Sequence, residues 1–173
     1  MIILAFALQY LNNIDYFSNL YDEETNNEYN EVTSNNFVKA YVSRVIDGDT
    51  IEVIMDSQKF KVRLIGINCP EYTSKIEYFG KESSEYTTIE LVNKNVYLEK
   101  DISETDKYGR LLRYVWLEIP TDISTNEIKD KMFNAILLNN GYAMQSTYPP
   151  DVRYSNIFKD ISTNARINSR GLW

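Results

Sequence analysis

Three segments of alternating apolar and polar residues follow one another between Phe37 and Ile67, with only short turns between them. The segments FVKAYVSRVI, TIEVIMD and FKVRLIGI are rich in β-branched and aromatic residues. Such alternation places apolar side chains on one face of a strand and polar side chains on the other. The turns hold Asp47-Gly48 and the DSQK segment at 56–59. Because connections this short join antiparallel neighbours, the sequence predicts a three-stranded meander.

The pattern after the meander predicts a helix and two more strands. Residues 80–95 have helical apolar spacing. The side chains expected to face inward are those of Tyr86, Ile89 and Leu91 or Val92. The segments VYLEK and LLRYVWLEI then complete a set of five strands.

Two helices are predicted in the C-terminal third. The first spans NEIKDKMFNAILLNNG and ends at Asn140-Gly141, a common helix stop. Its predicted apolar stripe is Ile128, Met132, Ala135, Ile136 and Leu138. The second runs from Tyr154 to Ile167. Five strands with one helix after the meander and helices at the end favour an α+β fold, a five-stranded OB-fold β-barrel with three helices.

The N-terminal 36 residues differ from the rest of the chain. MIILAFAL is apolar but has eight residues, far fewer than the roughly 20 of a membrane span. It resembles the core of an export signal, although it lacks a basic n-region, and an amphipathic helix is the alternative. Residues 21–36 are polar and acidic, as in a linker or tail. We predict a domain at 37–173 and a secreted or extracytoplasmic protein, or one attached to the membrane through this segment.

Composition excludes several kinds of active site. The chain has no histidine and one cysteine, Cys69. A Ser-His-Asp triad, a histidine base, a His- or Cys-based zinc site and an internal disulfide are therefore excluded. A general base has to be a carboxylate, a lysine, a tyrosine or Cys69.

The net charge of −7 is unevenly distributed. Residues 1–38 hold six of the 25 acids and none of the 18 bases, which leaves 19 acids against 18 bases. The predicted domain is thus nearly neutral, and a polyanionic partner is compatible with its charge.

Four charged residues lie where predicted strands begin or end. Asp49 follows the Asp-Gly turn, although that turn needs only one acid. Arg63 lies in an apolar run, and taken alone it would be explained as an edge-strand charge that discourages aggregation. Glu71 follows a strand-ending proline, and Arg110 begins the fifth strand after a glycine turn.

Together these residues predict a site that acts on phosphate. A carboxylate pair can hold a hard cation and orient a water. Arginine forks match phosphate oxygens and keep their charge at any working pH. These are the groups that phosphodiester hydrolysis needs when no histidine is present.

The same residues lie in motifs that resemble the staphylococcal nuclease (thermonuclease) family. The motifs are IDGDTIEV, VRLIGINCPE, TDKYGRLLRYVW, NNGYAMQSTYPPDVRY and a closing GLW, in the family's order. The resemblance covers about residues 38–173. It implies a five-stranded barrel with three helices and calcium-dependent cleavage of DNA and RNA to 5′-hydroxyl and 3′-phosphate ends. We expect little sequence specificity, a monomer and no stable protein partner.

The resemblance also implies roles for individual residues. The implied calcium ligands are Asp49, Asn68 and the backbone carbonyl of Cys69. Glu71 would position or deprotonate the attacking water. Arg63 and Arg110 would stabilise charge on the phosphate in the transition state.

Substrate contacts are implied in two loops. Lys107 and Tyr108 would lie beside the scissile nucleotide. An aromatic residue of a later loop would pack on the base. Tyr148, or else Tyr142, fills that place, because STYPP does not align without a shift. Since stacking favours unpaired bases, we expect a preference for single-stranded or AT-rich nucleic acid.

One position departs from the family pattern. Where relatives have a second calcium-binding aspartate, this chain has Asn68. An asparagine carbonyl can coordinate a hard cation but brings no charge. We therefore expect weaker calcium binding unless Asp47 compensates. The alternative function is a nuclease-like nucleic-acid-binding module that is catalytically weakened or inactive.

Overall fold

The computed structural model describes residues 36–73 and 75–173. The predicted export signal and acidic linker lie outside the described residues, so they and the predicted location remain predictions. In the part of the chain that is described, no helix is both long enough and apolar enough to cross a membrane.

Five strands close a barrel, and two short strands form a separate sheet. The strands are β1 (Phe37–Asp47), β2 (Thr50–Met55), β3 (Gln58–Leu64), β4 (Ile67–Asn68), β5 (Asn95–Glu99), β6 (Leu111–Trp116) and β7 (Met144–Gln145). The helices are α1 (Gly80–Leu91), α2 (Thr125–Lys131), α3 (Phe133–Asn139) and α4 (Ser155–Ile167). The barrel order is β1-β2-β3-β6-β5, and β4 pairs with β7. The predicted α+β fold with a five-stranded barrel is confirmed.

The long first strand closes the barrel. Its first half pairs with β5 and its second half with β2, both antiparallel. The register with β2 shifts between Val42 and Arg44 and again between Val45 and Asp47. Such irregularities bend a strand and increase its twist, which lets one strand serve both sides of a small barrel. They also place Asp47 at the barrel's end.

The third strand is shorter than predicted. The expected strand over residues 60–67 ends at Leu64, and Gly66 turns the chain with a φ of 79°. A side chain at Gly66 would meet the ring of Phe158, because a Cβ there would lie 2.6 Å from Cε2. The turn sends Ile67 into the two-stranded sheet with β7.

The first helix ends earlier than predicted, and its buried residues match the predicted set only in part. It stops at Leu91, and Ile89, expected to face inward, is 71% exposed. The buried face carries Leu91, as predicted, together with Ser83 and Thr87, whose hydroxyls donate to the carbonyls of Tyr142 and Gly48. Apolar periodicity missed this face because the helix packs on backbone carbonyls, where small hydroxyl residues fit.

The second predicted helix is divided into α2 and α3. Met132 between them has an extended backbone, with φ −86° and ψ 114°, and forms a bridge with Trp116 of β6. The structure therefore has four helices in the described residues rather than three. The predicted stripe is buried at Ile128, Met132, Ala135 and Leu138, but Ile136 is only partly buried.

A buried amide joins α3 to the barrel, and its removal should be costly. Asn134 is fully buried, accepts from the Val115 amide at 2.9 Å and donates to the Ile65 carbonyl at 2.9 Å. Asn134→Ala leaves both partners unsatisfied and should lower the free energy of unfolding by about 3 kcal/mol in urea titrations. The exposed Asn126→Ala is the control, with an expected change within about 0.5 kcal/mol. Equal effects of the two substitutions would contradict the assignment.

Candidate functional site

Six of the residues singled out in the sequence meet at one end of the barrel. They line a polar cleft of about 380 Å³. The β1–β2 turn, the end of β3, the segment after β4 and the start of β6 each contribute to it. Its lining residues are Asp47, Asp49, Thr50, Arg63, Asn68, Cys69, Glu71, Glu77 and Arg110.

Asp49 joins three parts of the polar cleft. Its side chain is nearly buried, and Oδ2 accepts from the backbone N–H of Cys69 at 2.8 Å. The same oxygen lies 3.0 Å from Nη2 of Arg63. Oδ1 accepts from the Thr50 hydroxyl at 3.1 Å. The carboxylate is therefore held in one orientation by three groups.

Arg63 is fully engaged within the protein. Nη1 donates to the carbonyls of Leu64, at 2.6 Å, and Ile67, at 3.1 Å. Nη2 donates to Oδ1 of Asn68 at 3.1 Å and pairs with Asp49. The guanidinium thus fixes the turn after β3 as well as lining the polar cleft.

Asn68 forms hydrogen bonds with the Arg63 side chain and with the Cys69 backbone. Besides accepting from Arg63, it donates from Nδ2 to the backbone carbonyl of Cys69 at 3.2 Å. That carbonyl is one of the calcium ligands that the resemblance implies. An aspartate could not make this bond, because an ionised carboxylate has no proton to donate.

Burial and two neighbouring acids raise the pKa of Asp47. The pKa of Asp47 is raised to about 7, first by burial and then by the negative charges of Asp49 and Glu71 and a hydrogen bond with Glu71. The N–H of Gly48, which donates to Asp47 Oδ1 at 2.9 Å, acts in the opposite direction. The cleft therefore holds more negative charge than its arginines balance.

Glu71 is held by its own loop. Its carboxylate accepts from the backbone N–H and the hydroxyl of Thr73. Its N–H donates to Oε2 of Glu77 at 3.1 Å, and its carbonyl accepts from the N–H of Glu77 at 2.9 Å. Gly80 lies against the same carbonyl, with room for no side chain. No sequence pattern pointed to Glu77.

Arg110 is aligned by an acid four residues earlier. Both Nε and Nη2 lie 2.6 Å from Oδ2 of Asp106, whose Oδ1 accepts from the backbone N–H groups of Tyr108 and Arg110. Nη1 lies 3.5 Å from the hydroxyl of Thr50. The Asp106 pKa is lowered because its bonds to Arg110 and Tyr108 outweigh the effect of burial. In the sequence, the glycine turn between Asp106 and Arg110 was the feature that could have indicated this pairing.

A groove of about 560 Å³ adjoins the polar cleft. Its lining includes Lys107, Tyr108, Tyr148 and Asp151, together with Arg63, Asn68 and Arg110, which also line the polar cleft. Tyr142 lies elsewhere, stacked on Tyr86 with ring centroids 4.2 Å apart and on Phe79 at 5.6 Å. Of the two tyrosines considered from the sequence, Tyr148 is the one in the groove.

The oxygen donors of the polar cleft fit a hard cation. Among residues 36–73 and 75–173, no three His, Cys, Asp or Glu side chains lie in an arrangement that could by itself hold a metal ion. The cleft nevertheless brings together the side chains of Asp47, Asp49 and Glu71 and the carbonyls of Asn68 and Cys69. Carboxylates and carbonyls are the donors that calcium takes.

Comparison with known proteins matches this architecture. The family profile described as "Staphylococcal nuclease homologue" matches residues 61–173. The chain is 38% identical over 135 residues to the thermonuclease of Staphylococcus intermedius, covering 76% of this chain and 74% of the relative. It is 30% identical over 163 residues to the endonuclease YncB of Bacillus subtilis, covering 85% and 72%. On the fold, the motifs and these matches, the chain belongs to the staphylococcal nuclease family.

Proposed function

We propose that this protein is a calcium-dependent nuclease that hydrolyses DNA and RNA with little sequence specificity, leaving 5′-hydroxyl and 3′-phosphate ends. Nuclease homologues support the activity, since relatives are named thermonuclease and endonuclease. The observation that carries the proposal is the polar cleft, where Asp49, Glu71, Arg63 and Arg110 meet beside a groove with exposed tyrosines.

Calcium would be held by oxygen atoms of the polar cleft. Asp49 and the backbone carbonyl of Cys69 would be the central ligands, and Asn68 and Asp47, which line the same cleft, would complete the set. A bound calcium ion polarises a phosphate oxygen and holds a water near it. The Asn68 amide competes for the Cys69 carbonyl and adds no charge, which supports the expectation of weakened affinity.

The remaining chemistry belongs to side chains of this chain. Glu71, which lines the cleft with Asp47, would accept the proton of the attacking water. Arg110, aligned by Asp106, presents donors toward the cleft, where negative charge grows on the phosphate. Arg63 would take the same role, but it also bonds two backbone carbonyls. Arg63 variants are therefore expected to lose stability as well as activity.

Substrate binding would depend on charge and stacking. Lys107 and Tyr108 lie in the turn before β6, and Tyr148 lies across the groove. Phosphate contacts give affinity without sequence readout, and affinity falls as salt rises. Exposed tyrosine rings stack on unpaired bases, which supports a preference for single-stranded or AT-rich substrates. We also propose that the protein acts as a monomer.

The direct test measures cleavage of denatured DNA and of RNA with calcium and with a chelator. Glu71→Gln and Arg110→Ala should each lower turnover by about 10² to 10³. The exposed Glu85→Gln and Arg44→Ala are matched controls that should keep wild-type turnover. End-labelling of products distinguishes 5′-hydroxyl from 5′-phosphate ends. Salt-dependent binding without cleavage would instead support the nucleic-acid-binding module.

The substitution of Asn68 tests the calcium site without relying on activity. Asn68→Asp adds a charge and frees the Cys69 carbonyl. We expect calorimetric titration to give a calcium Kd about tenfold lower, which is about 1.4 kcal/mol. Asn93→Asp, at a position outside the polar cleft, is the control. An unchanged Kd in Asn68→Asp would place the cation away from this residue.

The raised pKa of Asp47 predicts how stability depends on pH without divalent cations. The pKa is about 7 in the folded protein and near 3.8 in the unfolded chain, so the folded state binds the extra proton between these values. Stability from this group is complete below about pH 4 and is lost as the pH rises through 7. Asp47→Asn should flatten the decline in thermal midpoint between about pH 5 and pH 8. Asp56→Asn, an exposed turn residue, should leave the decline unchanged, and an identical slope in Asp47→Asn would refute this account.

A further inference from the structure

Two exposed tyrosines on separate connections line the groove. Tyr108 is 72% exposed in the turn before β6, and Tyr148 is 75% exposed in the loop after β7. Loops hold their shape only where specific bonds fix them. The relative placement of the two rings therefore has to come from contacts between the connections.

Asp151 supplies the direct contact. It is 7% exposed, and its Oδ1 accepts from the backbone N–H groups of Ile102 and Ser103 at 3.0 and 2.8 Å. Its own N–H donates to the carbonyl of Tyr148 at 3.1 Å. Burial acts to raise the Asp151 pKa, but the bonds from Ser103 and Ile102 lower it below the ordinary value. The carboxylate is thus ionised, and hydrogen bonds to an ionised acceptor are strong.

The next residues anchor the same loop in the barrel. The backbone N–H of Arg153 donates to Oδ2 of Asp101 at 3.0 Å, an oxygen that also accepts from the Tyr114 hydroxyl. Nη1 of Arg153 lies 2.5 Å from Oε1 of Glu99, which is buried. The loop therefore has a fixed base, and Asp151 connects that base to the segment ahead of Tyr108.

The segment ahead of Tyr108 transmits this placement to the turn. The N–H of Leu112 donates to the carbonyl of Glu104 at 3.1 Å, and the N–H of Asp106 donates to the carbonyl of Arg110 at 3.0 Å. These bonds bind the segment to β6. A shift at Ile102 and Ser103 would thus change where the turn begins.

We propose that Asp151 is a positioning residue for substrate, which sets Tyr148 against Tyr108 so that both rings contact bases of one unpaired strand. The inference rests on the proposed nuclease function, because it assigns the groove to nucleotide bases. It goes beyond that function by naming a residue that is neither a proposed cation ligand nor one of the arginines proposed to bind phosphate. Its loss should weaken substrate binding and leave the chemistry of the polar cleft intact.

The test compares KM and kcat on a short single-stranded oligonucleotide. Asp151→Ala removes the acceptor and should raise KM about tenfold, the order of one lost base stack, with kcat changed less than about threefold. Asp151→Asn keeps an oxygen in the place of Oδ1 and should retain the wild-type KM. Wild-type calcium dependence is expected in both. If Asp151→Ala fails to fold, Asp151→Ser takes its place.

A double-mutant cycle separates positioning from loss of stability. In a Tyr148→Ala background, Asp151→Ala should raise KM by less than about twofold, because the ring it positions is gone. Independent effects that multiply would overturn the proposal. Ser124→Ala, which removes the α2 cap, is the control: it should lower the thermal midpoint without changing KM.

Failure of the nuclease function and failure of the Asp151 proposal give different results in these experiments. If the wild type binds the oligonucleotide without cleaving it, the nuclease proposal fails, and the same cycle is measured on Kd. If the wild type neither binds nor cleaves, both proposals fail. Cleavage by the wild type with an unchanged KM in Asp151→Ala would overturn the positioning role alone.

Discussion

The nearly buried ion pair between Asp49 and Arg63 is the interaction on which the site depends. Thr50 and Arg63 are direct neighbours in the β2–β3 register, so the barrel itself brings the pair together. Asp49 accepts a hydrogen bond from the backbone N–H of Cys69, and Arg63 donates to the carbonyls of Leu64 and Ile67. The turn after β1, the end of β3 and the exit from β4 are thereby fixed to one another. An ion pair in such a setting is strongly destabilising to break, because each partner would be left buried and unpaired.

The acids that line the polar cleft outnumber its arginines. One arginine is engaged by Asp49 and the other by Asp106, so little positive charge is left for Asp47 and Glu71. This arrangement suits the proposed binding of both a cation and a phosphate, since the cation would supply the missing charge. Asn68 reduces the imbalance by one charge relative to the family pattern. The same substitution that lowers the attraction for a cation should therefore relieve repulsion in the cation-free protein.

Much of the fold and the assembly of the site could be predicted from the sequence, for identifiable reasons. The meander follows from alternation and short turns, and the positions of Asp49, Arg63 and Arg110 at strand ends follow from the meander and motifs. Glu77 could not be predicted, because its bonds to Glu71 depend on a loop shape that no periodicity encodes.

The incorrect details share a physical cause. The expectation for Ile89 assumed that a helix buries its apolar residues, whereas α1 rests on backbone carbonyls and buries hydroxyls. The break at Met132 was not predictable either, because its residues have ordinary helical spacing and the bridge to Trp116 is a tertiary contact. Tertiary packing overrides local preference in both places.

The contact between α1 and the β1–β2 turn links the helix to the proposed cation site. Thr87 bonds the carbonyl of Gly48, which stands between the two acids of the turn, and a side chain at Gly48 would collide with Cys69 and Ser83. The acids cannot move toward an incoming ion without moving the helix. If the polar cleft binds a cation as proposed, thermodynamic linkage requires that loosening α1 lowers the affinity for the ion and that the ion in return protects the helix from opening. Substitutions on the buried face of α1, remote from any proposed ligand atom, should then change that affinity.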